Sequence, residues 1–537
     1  MEFIYVILSF VGLFVFIGWA FLVSKKKSGI PYPMIGGIAL LLVLCFGAFF
    51  FFQNGPETNV TVTKEEKPTV QPQPEESKEE EPKEEETPQI VEEKRIEVIN
   101  GRGSTVQGPA NPKYIMDVTY DSTNHIIEGT MSVEFINNLD VDLSNLYFNV
   151  WGNANTYLAI SKKEKNVTIE DVKVNGKIVE YSLEGSALHI AQVDIKKTES
   201  AKVEMGFSVF VPETQDRFGW NKTTTSLGNW FPILAVYDED GWDVDPYYPG
   251  GDSFYSLSGE FDVTLTTEKE QVIATTGTEI GEPEINGGLA THHYTAKNVR
   301  DFAMELDPNY KIKQAMAGEI PINVYYKEEH AGYVDTMLNA SIKSLTLFSE
   351  KFGQYPWPEL DVCAMEGWFG GMEYPQLVMI SIMPDNQTSN VDFVTAHEIG
   401  HQWFYGIIGN NQYDEPWLDE SFASFAAALF DGQLESVDTT VLADSHLSSS
   451  IDIFTENAKK STRNYYMMVY RYGATVLDDL RQELGEEQFY TSMQAYFNEM
   501  KFAVSSTADF IRIMEETSNR DLGEFFTDHR VYVRDDE

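Results

Sequence analysis

The sequence predicts two N-terminal transmembrane helices, then an all-β antiparallel, sandwich-like region, then a mainly helical α+β region. Three observations carry that order. Two uncharged apolar runs fall within residues 1–53, short strand-like segments with turn residues fill 108–306, and helical periodicity dominates 307–537.

The first run is FIYVILSFVGLFVFIGWAFLV (3–23) and the second MIGGIALLLVLCFGAFFFF (34–52). Each is long enough to cross a bilayer core as a helix. A signal peptide would open on basic residues, whereas this chain opens on Glu2 and keeps Lys25, Lys26 and Lys27 between the runs. The positive-inside rule puts that loop in the cytoplasm. The expectation is a multi-pass, two-span cell-membrane protein with everything downstream extracytoplasmic. Residues 54–107 contain KEEKPTVQPQPEESKEEEPKEEETPQ, an acidic Pro/Glu-rich composition that cannot bury a core. They read as a disordered linker.

IEGTMSVEFINN, LSNLYFNVW, VTIEDVKVNG, AKVEMGFSVFV, GEFDVTLTT and EQVIATTG alternate apolar and polar residues between turn signals, as antiparallel strands do. After Asp307 come two further strands (IPINVYY, VMISIM) and then helical patterns beginning with YVDTMLNASIKSLTLFSEKFG. The formal net charge of −45 lies mostly downstream of residue 95. So acidic a surface disfavours nucleic acid and anionic lipid. With only two cysteines, Cys45 and Cys363, neither a disulfide framework nor a cysteine-based zinc site can be built.

The chemistry begins at VTAHEIGHQWFYGIIGN (394–410). On a helix, His397 and His401 share one face and can meet one ion, with Glu398 beside them. A catalytic site needs a third protein donor and an open position. Gly406 and Gly409 are expected to end this helix and Pro416 to begin the next, which returns Glu420 of PWLDESF to the histidines. His397, His401 and Glu420 then form a three-ligand hydrolytic site for one Zn2+ per chain.

HEIGHQW, the gap of 18 residues between His401 and Glu420, and WLDES resemble the gluzincin zinc aminopeptidases, the group of aminopeptidase N and leukotriene hydrolase. GGMEY (370–374) resembles that family's G-x-M-E-N, and YRYGA (470–474) its Y-E-K-G-A. VRDFAMEL (299–306) resembles the end of its N-terminal domain. The resemblance implies a saddle- or sandwich-like β domain at 108–306 and a thermolysin-like catalytic domain at 307–537. It implies that Glu398 is the general base, that Tyr470 stabilises the oxyanion, and that Glu373 binds the free α-amine of a peptide. Gly370, Gly371 and Met372 would lie against the peptide backbone. Three departures stand out. Tyr374 replaces the signature's Asn, and Arg471–Tyr472 replace Glu-Lys. The WNKTTTSLG stretch before NWFPILAVYDEDGWDVDPYYPGGD (229–252) has no acid to serve as the family's second amine anchor. The chain ends 67 residues beyond Tyr470, which leads to the expectation of a bacterial-type, membrane-anchored member without the large C-terminal helical domain and with an open site. Two other readings stay in play: a thermolysin-like endopeptidase, and a tethered peptide-binding or sensor protein with weak catalysis.

Overall fold

Strand Ala110–Asp121 shows why the first half is a sheet. Tyr114, Met116, Val118 and Tyr120 are buried and the residues between them are not, the period of two that a half-buried strand requires. The computed structural model describes residues 108–383, 389–433, 446–456 and 465–533. All of these residues belong to one compact unit.

A nine-stranded sheet organises the β region. Its order runs Thr278–Glu279, Leu289–Val299, Gly259–Glu268, Ala110–Asp121, Ile126–Ile136, Ser200–Phe210, Val167–Val174 and Lys177–Ile178, with Glu284–Asn286 also on Leu289–Val299. Nearly all of its pairs are antiparallel, as the alternation predicts. The exception is Ala110–Asp121 against Gly259–Glu268, which run parallel with Met116 opposite Val263. Two four-stranded sheets and the two-stranded pair Tyr237–Asp238 and Gly241–Trp242 complete the described region, with Met304–Asp307 and Thr224–Leu227 in one of the four-stranded sheets. The helical region opens on a five-stranded mixed sheet, ordered Lys311–Ala317, Ile320–Tyr326, Leu360–Met365, Leu377–Ser381, Gly371–Met372. Gly371–Met372 is thus an edge strand, antiparallel to its only neighbour with Gly371 opposite Ile380. One continuous apolar core joins both regions, from Trp230, Phe231 and Phe261 to Trp403, Phe422 and Phe510.

The two membrane-crossing helices expected at 3–23 and 34–52 are not upheld. No helix among the described residues is long and apolar enough to cross a membrane. The two runs themselves, with the 54–107 linker, lie outside those residues. The longest described helix, Val334–Lys351, has 18 residues but exposes Asp335, Lys343 and Glu350 while burying Met337, Leu345 and Phe348. It is amphipathic, not membrane-spanning. The multi-pass, extracytoplasmic placement built on those runs is withdrawn with them. Run length and hydropathy say only that a helix could cross, not that one forms there.

A second correction concerns the helix that carries the histidines, Val391–Trp403. It stops three residues before Gly406. Phe404 is extended and Tyr405 sits at φ 107°. The N–H groups of Gly406, Ile407 and Ile408 then fold back onto the carbonyls of His401, Gln402 and Trp403 at 2.9, 3.0 and 2.9 Å. These bonds satisfy the helix end without a glycine cap. Gly409 serves another purpose. A Cβ there would lie 2.0 Å from the guanidinium carbon of Arg300. Arg300, fully buried, reaches from the end of the β region to donate to the carbonyls of Tyr405 (2.8 Å), Ser256 (2.8 Å) and Ala503. It fastens the turn after the histidine helix to the β region.

Candidate active site

The histidine helix and the following helix, Trp417–Asp431, pack closely because small residues face each other. A Cβ on Gly400 would meet the Cα of Ala423 at 3.1 Å and the Cβ of Ala426 at 3.2 Å. Pro416 precedes the second helix as expected, and Glu420 falls in its first turn, where the unpaired N–H groups favour a carboxylate.

That approach brings three donors together. His397 Nε2 lies 3.1 Å from His401 Nε2 and 3.2 Å from Glu420 Oε2, and His401 Nε2 lies 3.3 Å from the same oxygen. Tetrahedral zinc with bonds of about 2.0–2.1 Å has ligand–ligand edges of roughly 3.4 Å. The triangle is the right size. Its chemistry also fits: His401 Nδ1 is 3.1 Å from the Phe404 carbonyl, which sets the tautomer that turns the Nε2 lone pair inward. Two imidazole nitrogens facing each other beside a carboxylate suit a cation between them. Burial works against the charged form of Glu420, yet the two imidazoles hold its carboxyl well below the usual range.

Glu398 and Glu373 complete the centre. One carboxylate oxygen of each lies within 4.8 Å of the other and of a His401 ring nitrogen. Burial and then the charge of Glu373 push Glu398 well up, while burial and Asp252 push Glu373 up to about 8. Gly371 makes this possible, since a Cβ there would sit 2.3 Å from Glu398 Oε1; at Gly370 it would meet open space. Met372 is fully buried. Tyr470 lies on a π-helical segment, Tyr466–Tyr472, a winding common at functional sites. Its hydroxyl donates to Glu420 Oε1 and its ring stacks on His397 at 5.7 Å between centroids. A cavity of about 840 Å³ is bordered by Gly371, Glu373, His397, Glu398, Glu420 and Tyr470.

Residues 336–529 match the peptidase family M1 domain. That match and the relatives below support the gluzincin aminopeptidase family for this stretch of the chain. Its relatives include aminopeptidase M1-D of Oryza sativa subsp. japonica, 25% identical over 323 residues, 55% of this chain and 36% of that protein. The alanine/arginine aminopeptidase of Saccharomyces cerevisiae is 23% identical over 352 residues, 60% of this chain and 40% of that one. Glutamyl aminopeptidase of Bos taurus is 30% identical over 225 residues, 37% and 23% of the two chains. The chain thus spans well under half the length of the curated relatives it matches. Peptidase family M1 aminopeptidases depend on zinc, and the His397, His401, Glu420 group is this chain's candidate for holding it.

Within this gluzincin frame the departures acquire physical reasons. Tyr374 is fully buried and donates to Asn229 Oδ1 at 2.7 Å, tying GGMEY to the NWFP segment. Gly228 leaves the room, because a Cβ there would lie 1.9 Å from that hydroxyl. Gly473 of YRYGA lets the π-helical segment settle on the second helix, where Ser421 Oγ donates to the Val469 carbonyl at 2.5 Å. Gln402, directly after HEIGH, was not singled out by the sequence. It accepts Gln376 N–H at 2.8 Å and donates to the Tyr374 carbonyl at 3.0 Å, pinning the backbone around Glu373 to the histidine helix. An acid from the 229–252 segment does reach the cavity: Asp252, paired there with buried Arg217. The acid-free WNKTTTSLG stretch lies before that segment, whereas Asp252 stands at its end.

Proposed function

We propose that this chain is a zinc-dependent aminopeptidase that releases N-terminal residues from peptides, with 108–306 as its β domain and 307–537 as its catalytic domain. The observation that carries the reading is Glu373 held within 4.8 Å of Glu398 and His401. A carboxylate so close to the centre suits the ammonium of a residue whose own carbonyl is the one attacked.

Zinc on His397, His401 and Glu420 would supply Lewis-acid polarisation of the scissile carbonyl and activation of water. Glu398 takes the proton of the attacking water on its carboxylate and returns it to the leaving amine. Tyr470, whose hydroxyl donates to Glu420 Oε1, would redirect that one proton to the oxygen on which charge develops once substrate is bound. The edge strand Gly371–Met372 offers its free side to the peptide as an added strand. Glu373 receives the ammonium, and Asp252, near enough to push the Glu373 carboxyl up, borders the same cavity.

The test is the full chain assayed on an aminoacyl reporter with and without chelator, and on matched free and N-acetylated peptides. Chelation should abolish turnover and acetylation should prevent it. Turnover that survives chelation would refute zinc dependence. Equal cleavage of acetylated peptides, or cuts within them, would replace the aminopeptidase reading with an endopeptidase.

A further inference from the structure

Gln412 stands in the loop between the two site helices and is fully buried. Its amide meets three elements at once. Nε2 donates to Asp419 Oδ2 at 2.7 Å and to Glu373 Oε1 at 3.3 Å, while Oε1 accepts the Phe254 N–H at 3.3 Å. A primary amide has two N–H donors, so both are committed, each to a carboxylate on a different element. Asp419 holds the other end: its Oδ1 accepts the N–H of Glu420 at 2.6 Å. Phe254 follows Asp252 by two residues, so the acceptor side of Gln412 steadies the β-region loop that brings Asp252 to the cavity. A side chain that only satisfied Phe254 and Asp419 would have no reason to reach Glu373 as well. No shorter residue spans the three partners, and an apolar one of equal length would leave two buried carboxylates each short of a donor.

We propose that Gln412 is a positioning residue for substrate recognition: its amide fixes the Glu373 carboxylate relative to the Glu420 end of the second helix, and so sets the distance between amine and scissile bond. The proposal rests on the aminopeptidase reading. It acts through Glu373, not on the substrate.

The zinc-loaded full chain is assayed on an aminoacyl reporter and on its des-amino counterpart, which lacks only the ammonium. Gln412→Met, unbranched and of equal length, should raise KM for the aminoacyl reporter by about 10-fold, as loss of a hydrogen bond to a charged group predicts. Its kcat, its zinc content and its turnover of the des-amino reporter should stay near the wild type. In a Glu373→Ala background the same substitution should change discrimination no further, the signature of two residues acting as one. Gln412→Asn, which keeps the amide but loses a methylene of reach, should show the same pattern and serves if the Met variant does not fold. Unchanged discrimination in either variant, multiplicative effects with Glu373→Ala, or loss of zinc with loss of kcat would overturn the proposal. A wild type that does not favour the aminoacyl reporter would instead overturn the aminopeptidase reading beneath it.

Discussion

The cavity has two walls that were made in different ways. The metal wall comes from two consecutive helices, with His397, His401 and Glu420 within 24 residues of chain and their donor atoms 3.1–3.3 Å apart. The peptide wall joins an edge strand at Gly371–Met372, the loop carrying Asp252, and Tyr374 bonded to Asn229, 145 residues away. Helical period and a short loop are enough to assemble the first. The second exists only once the β region has packed against the helices. On the proposed reading, the reaction chemistry rests on local structure and the recognition on long-range structure.

Substitutions should separate the walls. The largest effect is expected from His401→Ala, which should bring turnover of every substrate to background and abolish stoichiometric zinc; added zinc should restore chelated wild type but not this variant. Residual activity with metal absent would mean the triangle is not the centre. Glu398→Gln comes next, with kcat down by about 10²–10⁴-fold at unchanged zinc content, the range for a lost general base. A fall in zinc content instead would place Glu398 among the ligands. Gly371→Ala tests the seam between the walls. Its Cβ must displace Glu398, and a shift of about 1 Å costs up to about 100-fold in kcat. An unaffected kcat would show that Glu398 has room the geometry denies it. Tyr374→Phe should be smallest in activity, within about twofold, while stability falls by about 1–3 kcal/mol because Asn229 Oδ1 loses its buried donor. A large kcat loss at constant melting temperature would move Tyr374 from the scaffold to the reaction.

How much was legible follows the same division. His397, His401 and Glu420 could be read because i, i+4 spacing fixes a shared face and a Pro-started return helix supplies the third donor. The β strands could be read from alternation, yet not the parallel pairing of Ala110–Asp121 with Gly259–Glu268, which depends on which strands meet. The helix ends at Trp403, not at Gly406 as the glycine predicts. Glycine is a common cap, but here i+5 bonds from 406–408 close the helix and Arg300 claims the space at Gly409. The apolar runs at 3–23 and 34–52 gave an expectation of membrane spans that the described helices do not support.

By itself, then, the sequence determined which residues are candidates to hold a metal and the alternation of strands and helices, since both are short-range periodicities written in the chain. Only the tertiary structure decided that Gly400 lets Glu420 close on the histidines, that Gly371 is bare so that Glu398 can stand beside it, and that Asp252 reaches the cavity. Those depend on which surfaces meet and how closely, and close packing leaves no trace in the spacing of residues along the chain.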